Sequence, residues 1–188
     1  MTEEDKIIEI RFHSRGGQGG WTASQLLALA ALKEGKYMQS FPTFGPERQG
    51  APIQAFTRIS SKPINLHASV YFPDVVVVLD PTLLGPSVVE GIKENTIIIV
   101  NTDESPQEIK KKLGLKDREV WTVNATDLAI KILGRAITNT AMLGAIVKAT
   151  GIVKLESVLE VTKERFPGEV GEKNVELIKR AYEEAIKG

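Results

Sequence analysis

The sequence contains no cysteine among its 188 residues, and this absence excludes several kinds of chemistry. Without cysteine there are no disulfides, no thiolate nucleophiles and no cysteine-ligated iron–sulfur clusters. Histidine is almost as scarce, with only His13 and His67, so we expect no metal site in this chain. We interpret His13 as a turn histidine that is bonded to nearby backbone rather than as a catalyst, and His67 as an ordinary strand residue. The chain is therefore not expected to hold a metal or a cluster by itself.

Neither an excess of one charge nor a long apolar run is present. Lys plus Arg equals Asp plus Glu at 24 each, so no net field attracts the chain to nucleic acid or to a membrane. The longest apolar runs, such as residues 75–79, are far shorter than the roughly 20 residues that a membrane span needs. The first six residues are mostly polar and acidic, unlike the start of a signal peptide. We expect a cytoplasmic protein that binds neither nucleic acid nor membrane.

The order of apolar segments and turn signals predicts a single α/β domain over residues 1–188. The predicted strands are residues 7–12, 37–41, 53–59, 64–70, 74–80, 96–100 and 120–123. The predicted helices are residues 22–33, 86–93, 124–133, 140–150, 155–166 and 172–187, with another that starts at Ser105. Four residues join 53–59 to 64–70, as in a hairpin, so the sheet should be mixed but mostly parallel. We expect a three-layer domain with a layer of C-terminal helices.

A glycine-rich turn separates the first strand from the first helix. It consists of Arg15, Gly16, Gly17, Gln18, Gly19 and Gly20. This Rossmann-like order favours an anion site, because glycines let a ligand approach the backbone and a helix start offers unpaired N–H groups. Thr22 occupies the last glycine position of the dinucleotide fingerprint, and no acid ends the second strand, so a nicotinamide dinucleotide is not expected. The alternative is that the glycines only permit a tight turn, whose helix then starts with a Thr22–Gln25 capping box.

Polar residues follow the predicted parallel strands at positions that should share one edge of the sheet. Because ligands of open α/β sheets bind where strands end, we expect four segments to meet there, namely 16–20, 80–82, 101–103 and 124–126. Asp80 either caps the segment that follows it or contacts the ligand. No residue of the chain is predicted to be catalytic.

The segment 42–52 contains three prolines and two glycines and is predicted to be a loop. Its aromatic, acidic and basic residues, Phe44, Glu47 and Arg48, make it a candidate docking surface for a partner or a clamp for an anion. The alternative is a rigid surface loop without a binding role.

Five blocks of the sequence together resemble the gamma subunits of pyruvate:ferredoxin oxidoreductases. They are RGGQG from Arg15, the helix segment 28–32 with 35–37, FGPERQGAP at 44–52, PDVVVVLDP at 73–81 and TNTAMLGA at 138–145. Each block is weak alone, but they follow the family's order from about residue 7 to residue 182. Ser14 departs from the glycine that is usual in the family, and Gln49 departs from the basic or small residue that is common there.

The resemblance implies one subunit of an enzyme built from alpha, beta, gamma and delta chains. In that family, partner chains hold thiamine diphosphate and 4Fe–4S clusters, and pyruvate, coenzyme A and oxidised ferredoxin become acetyl-CoA, carbon dioxide and reduced ferredoxin. The isolated chain should be inactive, with the glycine turn and Asp80 as a candidate coenzyme A contact. The alternatives are the gamma subunit of a branched-chain 2-oxoacid or 2-oxoglutarate enzyme, and a free-standing module for a nucleotide-like ligand.

Overall fold

The computed structural model describes residues 6–43 and 49–188, and a sheet of seven strands lies at the centre of these residues. The strands are β1 Ile8–Arg15, β2 Tyr37–Pro42, β3 Pro52–Ser60, β4 Val75–Val78, β5 Ile97–Asn101, β6 Glu119–Val123 and β7 Ile186–Lys187. The helices are α1 Gly20–Lys33, α2 Pro86–Val89, α3 Pro106–Leu113, α4 Ala125–Leu133, α5 Asn139–Thr150, α6 Leu155–Arg165 and α7 Glu169–Glu184.

Across the sheet the strand order is β2-β3-β1-β4-β5-β6-β7. The four neighbouring strands β1, β4, β5 and β6 are parallel. Strand β3 runs antiparallel to both β1 and β2, and β7 runs antiparallel to β6. The predicted mixed α/β fold is confirmed. Three of the six strand pairings are parallel and three are antiparallel, because the antiparallel β3 lies between β2 and β1 and the end of the chain adds the antiparallel edge strand β7.

The predicted strand at 64–70 is wrong, because this segment forms no ladder with its neighbours. Side chains bind its carbonyl groups instead: Gln39 Nε2 donates to the carbonyl of Leu66 at 3.0 Å, and Arg58 donates to that of Ala68 at 2.6 Å. His67 is accordingly an exposed residue of an irregular segment rather than a strand residue. The hairpin partner of β3 is β2.

The helices cover the two faces of the sheet unequally. One face carries a large apolar core that joins α1, α4, α5, α6 and α7. The other face carries a smaller core, built with α2 and α3 from Val76, Val78, Val88, Ile98, Val100, Ile109, Leu115 and Val120. The three layers follow from the strands themselves, because β4 is apolar at four successive positions and is buried on both sides.

The large face depends on a close approach of α5 to α7. A Cβ atom on Gly144 would lie 2.2 Å from the carbonyl oxygen of Ile178 and 2.8 Å from the amide nitrogen of Tyr182. Only glycine fits between these backbones. Gly144 thus lies on a packing surface of α5.

Local signals predicted some helix ends well and others badly. Ser105 and Glu108 form the expected capping box of α3, and Asn124 caps α4. The Thr22–Gln25 box is wrong, because α1 already starts at Gly20, and the left-handed Gly19 before it provides no side-chain cap. The helix predicted to reach residue 187 ends at Glu184, and the residues after it pair with β6. The helix predicted over 86–93 is the single turn α2.

Candidate functional site

The glycine turn links the end of β1 to the start of α1 in a closed arrangement. The amide of Arg15 donates to Gln18 Oε1 at 2.7 Å, and the amide of Gln18 donates to the Arg15 carbonyl at 3.1 Å. Gly17 and Gly19 have φ values of 90° and 75°, in the left-handed region that favours glycine. These two glycines therefore have a conformational reason to be present.

Gly16 and Gly20 are explained by close contacts. The amide of Gly16 donates to the Ala51 carbonyl at 2.8 Å, which joins the turn to the segment before β3. A Cβ on Gly20 would lie 2.3 Å from Ser14 Oγ, a buried hydroxyl without a partner among the described residues. The turn is thus tightly packed on its inner side. By contrast, no atom of residues 6–43 or 49–188 lies within 4 Å of the Cβ position of Gly17, so these residues leave its outer side open.

Asp80, at the end of β4, organises the outer side of the turn. Its Oδ1 accepts from the amide and hydroxyl of Thr82 at 2.9 and 2.6 Å, and its Oδ2 accepts from Gln18 Nε2 at 2.8 Å. Arg15 Nε lies 3.3 Å from the same carboxylate. Burial acts to raise the pKa of Asp80, but the hydrogen bonds from Thr82 and Gln18 and the charge of Arg15 outweigh it, so the pKa is lowered. Asp80 is therefore ionised and caps the short 3₁₀ turn that follows it.

Arg15 keeps only part of its charge for a ligand. Its guanidinium donates to Thr82 Oγ1 at 2.9 Å and to the Gly50 carbonyl at 3.2 Å, in addition to the contact with Asp80. About a third of its side chain, 34%, remains exposed. The turn thus offers a partly neutralised arginine beside an open glycine.

The other strand ends join the same edge through Asn101. Its amide nitrogen donates to the Leu79 carbonyl at 2.8 Å and to Thr126 Oγ1 at 2.9 Å, and its oxygen accepts from the Thr126 amide at 3.2 Å. The structure therefore brings together all four segments that were expected to meet. Asn101 is only 3% exposed, so its groups hold the edge together rather than face a ligand.

The interpretation of His13 as a turn histidine bonded to backbone is wrong, because His13 lies within β1. Its Nε2 accepts from Arg11 Nε at 3.0 Å, so a side chain and not the backbone satisfies it. Burial, with the nearby Arg11 charge, lowers the pKa of His13 to about 3. The imidazole is consequently neutral at physiological pH and acts as an acceptor inside the sheet.

The sequence reasoning missed a groove of about 680 Å³ beside α1 and β2. Leu29, Met38, Phe41 and Leu66 supply much of its apolar lining, and Arg165 stands at its side. A signal was present in α1, where Leu29 falls outside the buried stripe and is 41% exposed.

The three interface candidates Phe44, Glu47 and Arg48 lie outside the described residues. The residues that follow them return to the glycine turn, because the amide of Gly50 donates to the Gly16 carbonyl at 3.1 Å. Gly50 and the glycine turn are therefore neighbours at this end of the sheet.

Comparison with known proteins identifies the family. A family model for pyruvate ferredoxin/flavodoxin oxidoreductase matches residues 9–184. The chain belongs to this family. A Pyrococcus furiosus relative, the pyruvate/ketoisovalerate oxidoreductases common subunit gamma, is 55% identical over 178 residues, which cover 94% of this chain and 96% of the relative. Pyruvate synthase subunit PorC of Thermotoga maritima is 47% identical over 188 residues, with 98% and 97% of the two chains covered. The resemblance stated from the sequence blocks is confirmed.

Solved structures agree with the fold. The crystal structure of the Thermotoga maritima pyruvate oxidoreductase subunit PORC superposes with a TM-score of 0.88 at 46% identity and covers 97% of this chain and 99% of that one. A keto/oxoacid ferredoxin oxidoreductase gamma subunit from Geobacter sulfurreducens gives 0.78 at 26% identity, with 95% and 96% covered. A Magnetococcus marinus 2-oxoglutarate:ferredoxin oxidoreductase gives 0.72 at 20% identity, covers 95% of this chain and 31% of that one, and shows the fold alone.

Within 6–43 and 49–188, no group of three or more His, Asp or Glu side chains is arranged to hold a metal ion. In the same part of the chain, no helix is long and apolar enough to span a membrane.

Proposed function

We propose that this protein is the cytoplasmic gamma subunit of a pyruvate:ferredoxin oxidoreductase, with residues 1–188 forming one domain of the complex. The observation that carries the proposal is 55% identity to gamma subunits along nearly the full length of both chains. In the assembled enzyme, pyruvate and coenzyme A are converted to acetyl-CoA and carbon dioxide, and two electrons reduce ferredoxin. We expect the alpha, beta and delta partners to bind thiamine diphosphate and the 4Fe–4S clusters. This chain has no cysteine and therefore no thiolate to ligate a cluster.

A shared role in two enzymes is a second candidate. The relatives at 54–55% identity are named as common to pyruvate and ketoisovalerate oxidoreductases, whereas those at 47–48% are named for pyruvate synthase alone. Higher identity to the common subunits favours a gamma chain that also serves a branched-chain 2-oxoacid enzyme.

The glycine turn is proposed to contact a phosphate group of coenzyme A. The open side of Gly17, the exposed third of Arg15 and the start of α1, which has no acid in its first turn, support this role. The Magnetococcus enzyme, which shares the fold, was solved with coenzyme A bound. Asp80 limits the affinity of the turn for anions, so it should contribute to binding within a larger pocket and not form a tight site alone. The segment with Phe44, Glu47 and Arg48 is proposed as part of the subunit interface.

Affinity purification of a tagged chain from its native host tests the proposal. The expected result is co-purification of cluster-bearing and thiamine-dependent chains with pyruvate- and coenzyme A-dependent reduction of ferredoxin. A second set of larger chains with ketoisovalerate activity would establish the shared role. Recovery of the chain alone, under conditions that preserve other complexes, would favour a free-standing binding module.

A further inference from the structure

Strand β2 forms one edge of the sheet, and the groove beside α1 and β2 runs along that edge. The strand order places β3 on one side of β2 and no strand of the described residues on the other. The groove, of about 680 Å³, is lined by four consecutive residues of the strand, 38–41. Because side chains alternate between the two faces of a strand, a groove lined by four in succession has the strand edge as its floor.

Two different elements form the walls of this groove. On one face of β2 lies α1, where Ser24 Oγ is 2.8 Å from Ser40 Oγ. On the other face lies the irregular segment that contains Leu66, whose carbonyl accepts from Gln39 Nε2 at 3.0 Å. Leu29 of α1 and Leu66 stand in the two walls and are 41% and 43% exposed. The groove is therefore a slot between a helix and an irregular segment, with apolar side chains on both sides.

The register of β2 with β3 shows which backbone groups face the groove. The amide of Thr43 donates to the Gln54 carbonyl at 2.9 Å, in the register of the strand pair. In an antiparallel ladder, residues that bond to the neighbouring strand alternate with residues whose N–H and C=O groups point away from it. Alternation back from Thr43 along β2 leaves three residues whose groups point away from β3, namely Met38, Ser40 and Pro42.

The outward backbone groups of Met38 and Ser40 have no hydrogen-bond partner among residues 6–43 and 49–188. Pro42 has no N–H to offer, and an outward position at a sheet edge is where a strand tolerates proline. Free edges are commonly protected by charged side chains, because unpaired backbone groups serve as a template for another strand. The sequence of β2, YMQSFP, contains no charged residue. This edge is therefore open to pairing.

The lining of the groove restricts the chemistry of an occupant. It contains two arginines and no carboxylate. Arg58 is buried and pairs with Glu9 at 2.8 Å, whereas Arg165 is exposed and has no ion pair in the part of the chain that the structure describes. A fitting segment has an extended backbone, apolar side chains against Leu29 and Leu66, and a carboxylate near Arg165.

We propose that an extended segment of another subunit of the oxidoreductase enters this groove and pairs with β2 as an additional strand. Its backbone bonds to Met38 and Ser40, while the two walls select its side chains, as in other cases of strand addition to a sheet edge. From Met38 to Pro42 the edge is about 13 Å long, at roughly 3.3 Å per residue, which suits about five residues. The inference rests on the proposed function only in naming the assembly as the source of the segment.

The shape of the groove favours a single segment over a second copy of this chain. The edge lies between α1 and the segment that contains Leu66, so a second β2 would be recessed between its own two walls. A single extended segment enters such a slot without moving either wall.

Hydrogen exchange of individual amides, measured by mass spectrometry, tests the pairing directly. In the isolated chain the amides of Met38 and Ser40 should exchange rapidly, because they are unbonded, and those of Gln39 and Phe41 should exchange slowly, because they bond to β3. In the complex purified through a tagged chain, exchange at Met38 and Ser40 should slow at least about 100-fold.

Met38→Pro removes the outward N–H and leaves the ladder to β3 in place, as Pro42 already does in the same strand. Met38→Val, which also changes the side chain but keeps the N–H, is the matched control. On dilution of the purified complexes, mass photometry should show the Met38→Pro chain dissociating at a concentration at least about tenfold higher than the Met38→Val chain. Arg165→Gln should weaken assembly several-fold, and Lys163→Gln, on the same helix outside the groove, should not.

Fast exchange at Met38 and Ser40 in a complex that contains the partner subunits would overturn the proposal and leave the proposed function intact. Equal dissociation of the Met38→Pro and Met38→Val complexes would also overturn it. Slow exchange of the same amides in a dimer of the isolated chain would assign the edge to a second copy instead. Recovery of the chain without partners would remove both the proposed function and this inference, because no other subunit would supply the segment.

Discussion

The two faces of the sheet bury their strands in different ways. On the large face, apolar side chains and small residues let helices pack directly on one another, with the backbones of α5 and α7 in contact at Gly144. On the small face, β1 presents Arg11 and His13, and Arg11 donates to the carbonyls of Ser87, Val88 and Glu90. The difference shows that close backbone packing shapes the large face, whereas the small face combines its apolar core with buried hydrogen bonds.

The largest effect is expected from adding one methyl group to the large face. Gly144→Ala should lower the free energy of unfolding by about 3 kcal/mol, because its Cβ meets fixed backbone atoms that cannot move aside. Chemical denaturation monitored by circular dichroism measures this. The matched control is Gly85→Ala, whose Cβ would have one neighbour at 3.9 Å and should be nearly neutral. Equal stability of the two variants would show that α5 and α7 can separate at little cost.

On the small face, the loss of a hydrogen-bond donor should lower the free energy of unfolding more than the loss of side-chain volume. Arg11→Met keeps most of the side-chain length but leaves three carbonyls and His13 Nε2 without their donor, and we expect a loss of about 2 kcal/mol. Arg180→Met, which breaks an exposed pair with Glu184, is the control and should change stability by less than about 0.5 kcal/mol. A small loss at Arg11 would mean that water replaces the guanidinium there.

Because His13 on the small face is neutral in the folded chain, we expect the free energy of unfolding to depend on pH. Its pKa is about 3 in the folded chain, below the ordinary value of 6.5, so the unfolded chain binds more protons between these values. The stability that it contributes is complete above about pH 6.5 and is lost as the pH falls toward 3. Asp74 and Asp80 also have lowered pKa values, because hydrogen bonds and nearby positive charges outweigh the opposing effect of burial, but their contributions to stability are lost only at lower pH, below about 3.8.

His13→Gln isolates this effect, because glutamine is a neutral acceptor that does not titrate. Urea unfolding between pH 7 and pH 4 should show wild type losing more stability than the variant. Parallel curves for the two proteins would show that His13 is not held neutral by its surroundings.

The smallest stability effect is expected at the edge between the two faces, where polar groups are partly exposed. Arg15→Ala should cost less than about 1 kcal/mol in stability. In the assembled enzyme it should raise the Michaelis constant for coenzyme A, by about tenfold if a charge-assisted bond is lost, while decarboxylation without coenzyme A is unchanged. Asp80→Asn should lower the Michaelis constant for coenzyme A, because it removes the carboxylate charge that partly neutralises Arg15. An unchanged constant in both variants would leave the turn with a purely structural role.

Local chemistry predicted much of this edge. Short-range signals predicted the glycine turn and the caps at Ser105 and Asn124, because each depends on residues that are close in sequence. The meeting of the four strand ends follows from the rule that parallel strands end at the same edge of a sheet. The segment 64–70 was predicted wrongly because side chains outside it, Arg58 and Gln39, satisfy its carbonyls in place of a strand partner, 10 and 27 residues away in sequence.

The sequence by itself determined the α/β class, the absence of cysteine-based chemistry and the family, since these depend on composition, periodicity and blocks of residues that can be read in order. Only the tertiary structure decided how charges are shared. It placed Asp80 against Arg15, and it placed the side chain of Asn139 against Gly19, about 120 residues away in the chain. Electrostatic balance depends on distances of a few ångströms between segments, and these distances exist only once the chain has folded.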